Sequence, residues 1–292
     1  MSLLATPEAS PGRVLTVFHL LDQQPEGRIE YSRAEQLLSP EPLRFARKDD
    51  AESMVRELLK ECTKLGFVRE LSVKRRPWLE LTCEMDSATP STQRTPFRYF
   101  GELIFAADNE TNHDLALALA WFLEQDPLSF RGDWDSIERR IGKDFPSNPF
   151  GLQNVRYSQL RDWAVFLGLA WTFASRGAKW LVPDPRRNVA HVLATSRYGA
   201  KERVPVREVL EFVGEQTPVL EFGRFREKLS TLYADKEQKA DATVLSPASS
   251  QAWLSLEDEG KVELLRIADA PQRVQLQDGP RQKAVTHVTT HL

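Results

Sequence analysis

Two runs of cations, Lys74-Arg75-Arg76 and Arg186-Arg187, stand beside short stretches that alternate apolar and polar residues as strands do. A guanidinium or ammonium carried at the end of a β-hairpin can pair with phosphate oxygens. Such contacts give salt-sensitive, sequence-independent affinity for nucleic acid. Further cations fall on predicted helices that precede the hairpins. Arg56, Lys60 and Lys64 lie on the outer face of one, interleaved with Glu52, Ser53 and Glu57. Arg156 and Arg161 lie near the start of another, beside Gln159 and Asp162. Together, Lys74, Arg75, Arg76, Arg56, Lys60, Lys64, Arg156, Arg161, Arg186 and Arg187 are the expected contacts to a DNA duplex.

Patterns that would do covalent chemistry are missing. His19, His113, His191, His287 and His291 are scattered along the chain and show no H-E-x-x-H spacing, so no metal site is expected. Asp133 and Asp135 flank Trp134, where a helix N-cap and its dipole-favoured carboxylates account for both acids. Glycine-rich phosphate loops and the G-x-S-x-G nucleophile turn do not occur. Asp184 near Arg186 and Arg187 lacks the spaced acid and lysine of a nuclease core. Cys62 falls on an apolar helix face and Cys83 ends a strand, and both read as buried reduced thiols. The chain is therefore expected to be no enzyme, with no catalytic residues, cofactor, metal or small-molecule substrate.

The elements that must carry the cations repeat. Three times an amphipathic stretch runs into a glycine that opens an apolar, strand-like run: at Gly66, Gly168 and Gly260, spaced 102 and 92 residues apart. Each is followed by a second short strand. A helix closed by a glycine beyond its C-cap and then a two-stranded hairpin forms the second half of a winged helix-turn-helix. The fold class read from this is mainly α with small β-hairpins (α+β), as tandem winged-helix domains.

Val14, Val17, Phe18 and Leu21 make the first apolar stripe at i, i+3, i+4 and i+7. Ser32 is the expected cap of a second helix, and Asp49 or Asp50 that of a third carrying Val55, Leu58, Leu59, Cys62 and Leu65. These and the hairpin with its tip at Lys74–Pro77 fill a winged-helix domain over 1–83, followed by a Ser/Thr/Pro-rich linker over 84–96. A winged-helix-like domain over 97–193 has helices starting at Asp133 and Ser158, an irregular insertion from Pro146 to Asn154, and a hairpin turning at Ser175-Arg176-Gly177. Trp171 and Trp180 are expected to flank one another across that hairpin, and most tryptophans to pack in cores. A linker over 194–203 leads to a third winged-helix domain over 204–278, less regular in its charged stretch Tyr233–Thr243. Its last helix is capped by Ser249 or Ser250, and its hairpin pairs Val262 and Leu264 with Val274 and Leu276. Residues 279–292 read as a disordered tail.

The formal net charge of −3 is spread evenly over these segments, so any nucleic-acid contact must come from local clusters. No run approaches 18 apolar residues, and Met1–Pro7 lacks the basic and apolar segments of a secretory signal. The expectation is a cytoplasmic protein with no membrane contact.

The three-unit order resembles tandem winged-helix proteins of bacterial genome-associated systems. The opening Met1-Ser2-Leu3-Leu4-Ala5-Thr6-Pro7 to Gly12-Arg13-Val14 and the total length are similar to the DpdG family, from bacterial islands that place 7-deazaguanine derivatives in DNA and restrict unmodified DNA. That resemblance implies a non-enzymatic role in DNA modification, restriction or anti-phage defence. The expected function is a DNA-associated adaptor whose wing tips touch double-stranded DNA, while the third unit binds a protein partner of a multi-subunit system. The alternative is a protein–protein scaffold with no DNA contact.

Overall fold

Val14, Val17, Phe18 and Leu21 all point inward from α1 (Pro11–Asp22), as their helical spacing requires. The computed structural model describes residues 2–40, 48–82, 96–106, 110–130, 132–175, 178–198, 201–233, 243–279 and 281–292. Cys83, residues 84–95, the Arg176-Gly177 turn and most of the Tyr233–Thr243 stretch lie outside them, as do the side chains of Glu52 and Ser53. The chain divides into two compact units, Met1–Asn112 and His113–Leu292.

In the first unit β1 (Arg28–Glu30) leads directly into α2 (Tyr31–Leu38), and α3 (Lys48–Lys64) leads into β2 (Val68–Val73) and β3 (Arg76–Leu81). The sheet order is β1-β3-β2, all antiparallel, with Ile29 opposite Leu79 and Leu71 opposite Trp78. Val55, Leu58, Leu59, Cys62 and Leu65 are buried, as their spacing predicts. Gly66 ends the helix at φ +88°, a left-handed conformation that costs glycine nothing, with its N–H donating to the Thr63 carbonyl. The expected cap Ser32 lies one residue inside α2, which starts at Tyr31 because β1 runs straight into it.

α4 (Pro96–Ile104) corrects the expected boundary near residue 97. Its Phe100 is fully buried and meets Phe18 and Phe67 edge-on, with ring centroids 5.8 and 5.1 Å apart. The helix therefore completes the first core. Leu3 and Leu4 are also buried there, and the Leu3 N–H donates to Asn112 Oδ1 at 2.9 Å.

The second unit opens with α5 (His113–Phe122), α6 (Trp134–Asp144), α7 (Asn154–Phe166) and the hairpin β4 (Ala170–Ser175) and β5 (Ala178–Pro183). Asp133 caps α6 as expected, accepting the Ser136 N–H at 3.0 Å. Ser158 is not a cap. α7 begins four residues earlier, anchored by hydrogen bonds from Tyr157 Oη to the Gly132 carbonyl and from Arg156 to the Gly151 carbonyl. Gly168 takes φ +67° at the helix end. Just before α6, the Gly132 carbonyl accepts the Leu181 N–H of β5 at 3.3 Å. A single residue thus occupies the position that β1 holds in the first unit.

The remainder continues as α8 (Arg186–Ala194), β6 (Arg203–Pro205), α9 (Val206–Gln216), α10 (Arg224–Ser230), α11 (Pro247–Asp258) and β7 (Val262–Leu265). Gly260 ends α11 at φ +69°. The chain then makes β8 (Val274–Asp278), β9 (Arg281–Val285) and β10 (His287–Thr290). The expected disordered tail is thus two strands. β10 is the centre of a sheet ordered β6-β10-β7, the arrangement seen in β1-β3-β2. β8 pairs with β9 rather than β7, so Val274 and Leu276 face Val285 and Lys283 instead of Val262 and Leu264. Val285 and Val288 are buried among polar neighbours, and that dilution of apolar residues is what made the segment read as unstructured.

Two smaller expectations also change. α11 is capped by Ser246 with Pro247 at its first position, while Ser249 and Ser250 sit buried inside it. The expected linker over 194–203 begins on the last residue of α8, and Tyr198 packs edge-on against Phe212 of α9 at 5.5 Å.

Candidate nucleic-acid interface

The β2–β3 hairpin turns through two residues, Lys74 and Arg75, at φ +50° and +66°. Two successive left-handed residues are the signature of the type I′ turn, whose twist matches that of the flanking strands. Asn-Gly usually fills those positions because side chains such as lysine and arginine are strained there, by about 1 kcal/mol or more each. The ladder from Val68–Leu81 to Val73–Arg76 imposes the turn. Both cations end up exposed at the tip, and neither has a carboxylate partner among the described residues. Arg76, just inside it, reaches Glu30 of β1 at 3.6 Å but remains 70% exposed, a weak surface pair.

Of the other expected contacts, all but Arg187 are tied up internally. On α3, Arg56 pairs with Glu35 at 2.9 Å, Lys60 with Glu57 at 3.6 Å and Lys64 with the buried Glu61 at 2.5 Å. The Glu61 hydrogen bond pushes the Lys64 ammonium up from its usual range. Arg156 donates to the Gly151 carbonyl at 3.0 Å, and Arg161 pairs with Asp162 at 2.9 Å. Arg186 and Arg187 are not at a hairpin tip. They open α8 beside the Ala170–Pro183 pair, the root of the β4–β5 hairpin. Arg186 bridges Asp184 at 3.6 Å and Glu259, at the end of α11, at 2.8 Å. Lys261, foremost, and Arg186 hold the Glu259 carboxyl below its ordinary range. Arg187 is exposed.

A charge triplet without any local signature in the sequence crosses the first sheet. Glu80 of β3 stands directly opposite Arg28 of β1 and Arg69 of β2, and its carboxylate accepts from both. Arg69 first and Arg28 second hold that buried carboxyl below the usual carboxylate range. Cross-strand register alone reveals the triplet, because Arg28 is 52 residues away in the chain. A second network lies inside the other unit: Arg226 pairs with Glu221 at 2.9 Å and Glu124 at 3.5 Å, and Glu221 also accepts from Ser249. Burial pushes the Glu124 carboxyl up. Every ion is partnered, so the network reads as an internal brace.

The β4–β5 hairpin departs from the expected core role of its aromatics. Trp171 is 46% and Phe173 41% exposed. Phe173 lies between the two tryptophans, 5.6 Å from Trp171 and stacked 5.8 Å from Trp180 directly across the ladder. Among the described residues no three or more His, Cys, Asp or Glu side chains cluster as a metal would need, and no helix is long and apolar enough to cross a membrane.

A protein-family model described as DpdG-like matches residues 1–270. No match was found among curated proteins or among solved structures.

Proposed function

The chain belongs to the DpdG-like family, associated with a DNA modification system, and on that premise we propose that it is a non-catalytic, DNA-associated adaptor built from winged-helix units. The reading assigns Lys74 and Arg75 to the phosphate backbone of a duplex, with Arg76 and Arg187 as flanking contacts. The observation that carries it is the Lys74-Arg75 turn. Two strained left-handed positions that would be more stable as Asn-Gly instead hold unpartnered cations. Strain kept at an exposed point is a signal of function.

The recurring topology supports the winged-helix part. β1-β3-β2 and β6-β10-β7 share an order in which the strand before a helix pairs with the last strand of its sheet. Gly132 against Leu181 repeats it in miniature. In such units the hairpin lies along the duplex backbone. Arg56, Lys60, Lys64, Arg156, Arg161 and Arg186 have carboxylate or carbonyl partners, so in this reading they contribute little affinity.

The test is duplex binding as a function of salt for Lys74→Gln/Arg75→Gln. Loss of about two from the log–log salt slope is the expected result. A slope and affinity equal to those of the unaltered chain would remove the tip from the role.

A protein-only scaffold is the second reading. The exposed Trp171 and Phe173, the latter stacked on the half-buried Trp180, favour it, because aromatic surface of this kind is enriched where proteins meet. No retention of any duplex at low salt by the unaltered chain would decide for it.

A further inference from the structure

α6 is two-faced. Ile137 and Ile141 are buried, whereas Ser136, Arg139, Arg140 and Lys143 follow one another at i, i+3, i+4 and i+7 on the opposite side. That side forms one wall of a cleft of about 380 Å³ whose other wall is Gln125, Asp126, Ser129 and Phe130. We infer that this cleft binds a phosphoryl group, with Arg139 and Lys143 as its direct ligands and Arg140 at its edge.

The charges of the cleft are unbalanced in the sense a phosphate requires. Asp126 is the one carboxylate among its lining residues, and both its oxygens are occupied. Oδ1 accepts the Leu128 N–H at 3.0 Å and Oδ2 the Ser129 hydroxyl at 2.7 Å. Among the described residues the Arg139 guanidinium reaches only neutral acceptors, the Asp135 carbonyl at 3.1 Å and Ser136 Oγ at 3.3 Å. Lys143 has no ion-pair partner among the described residues. Arg140 is different: Asp144 holds it at 3.3 Å, and Asp144 is itself fixed by the Trp121 indole N–H at 3.0 Å. Two cations without a carboxylate partner among the described residues, Arg139 and Lys143, thus converge on a single concavity.

The walls are also prebuilt. The Asp133 cap and the buried isoleucines hold α6, and Gln125 donates to the Trp121 carbonyl at 2.9 Å, pinning the facing loop. A preorganised fork of arginine and lysine loses little side-chain freedom on binding a tetrahedral dianion. The phosphoryl group could belong to a duplex backbone, since α6 precedes the helix before the hairpin and the equivalent helix of a helix-turn-helix crosses the backbone. It could equally belong to a free phosphate ester. Only the first source rests on the adaptor reading above.

Amide NMR shifts of the full chain, titrated with inorganic phosphate against chloride at matched ionic strength, test the site. Saturable shifts along α6 and residues 125–130 are expected. Arg139→Gln/Lys143→Gln should abolish them, and Arg139→Lys should retain part. Absence of saturable shifts in the unaltered chain, or their survival in the double variant, overturns the proposal. Salt-dependent duplex binding then separates the sources. A slope lowered by about one to two in the double variant assigns the phosphate to DNA, and an unchanged slope assigns it to a free ester. Lys74→Gln/Arg75→Gln should leave the phosphate titration intact, so failure of the hairpin-tip reading is distinguishable from failure of this one.

Discussion

Gly132 and Leu181 approach so closely that a β-carbon on Gly132 would lie 1.9 Å from the Leu181 carbonyl oxygen. The contact joins the residue before α6 to the second strand of the β4–β5 hairpin, and no flexible side chain can yield to relieve it. Gly132→Ala is therefore expected to destabilise the second unit by about 3 kcal/mol. Gly142, inside α6 with open space around it, is the control. Gly142→Ala should stabilise by about 0.5–1 kcal/mol through helix propensity. Thermal unfolding of both variants checks the pair, and equal effects would contradict the packing argument.

The hairpin tip predicts a trade between stability and binding. Lys74→Asn/Arg75→Gly places in the turn the residues that its left-handed backbone favours, and should stabilise the first unit by about 1–2 kcal/mol. The same change should weaken duplex binding at low salt. Denaturant unfolding and a binding isotherm on one protein preparation measure both; a variant that gained stability and kept full affinity would separate the strain from function.

Glu80 gives the first unit a definite pH response. Its folded-state carboxyl lies below the ordinary value of 4.5, so its pairs with Arg69 and Arg28 stabilise fully above that value. The contribution is lost as pH falls below 4.5 through the lowered folded value. Glu80→Gln should consequently be clearly less stable than the unaltered chain at pH 7. The gap should close on acidification below the ordinary carboxylate range. A gap constant over that window would mean the arginines do not act through its charge.

Removal of residues 281–292 should cost several kcal/mol, since β10 is the central strand of its sheet and takes the buried Val288 with it, while β9 takes Val285. Loss of cooperative unfolding in the second unit is the expected outcome. A truncated chain of unchanged stability would show that β9 and β10 add nothing to its core.

The features legible in the chain were those that neighbours in sequence decide. Gly66, Gly168 and Gly260 end their helices in left-handed conformations because a residue without a β-carbon is needed there, and the apolar stripes of α1 and α3 turned inward because 3.6-residue spacing already defines a face. The Asp133 cap was readable for the same reason. The candidate site was half legible: a basic tip between two alternating runs could be seen, but not which cations would be free there.

That depended on side chains far apart in the chain. Glu35 reaches Arg56 across 21 residues, and Glu259 reaches Arg186 across 73. Phe100 joined the first core and Val288 the last sheet through contacts that no local pattern encodes. Helix ends and faces follow from short-range sterics and periodicity. Charge neutralisation, strand partners and unit boundaries follow from long-range burial, which exists only once the chain has closed on itself.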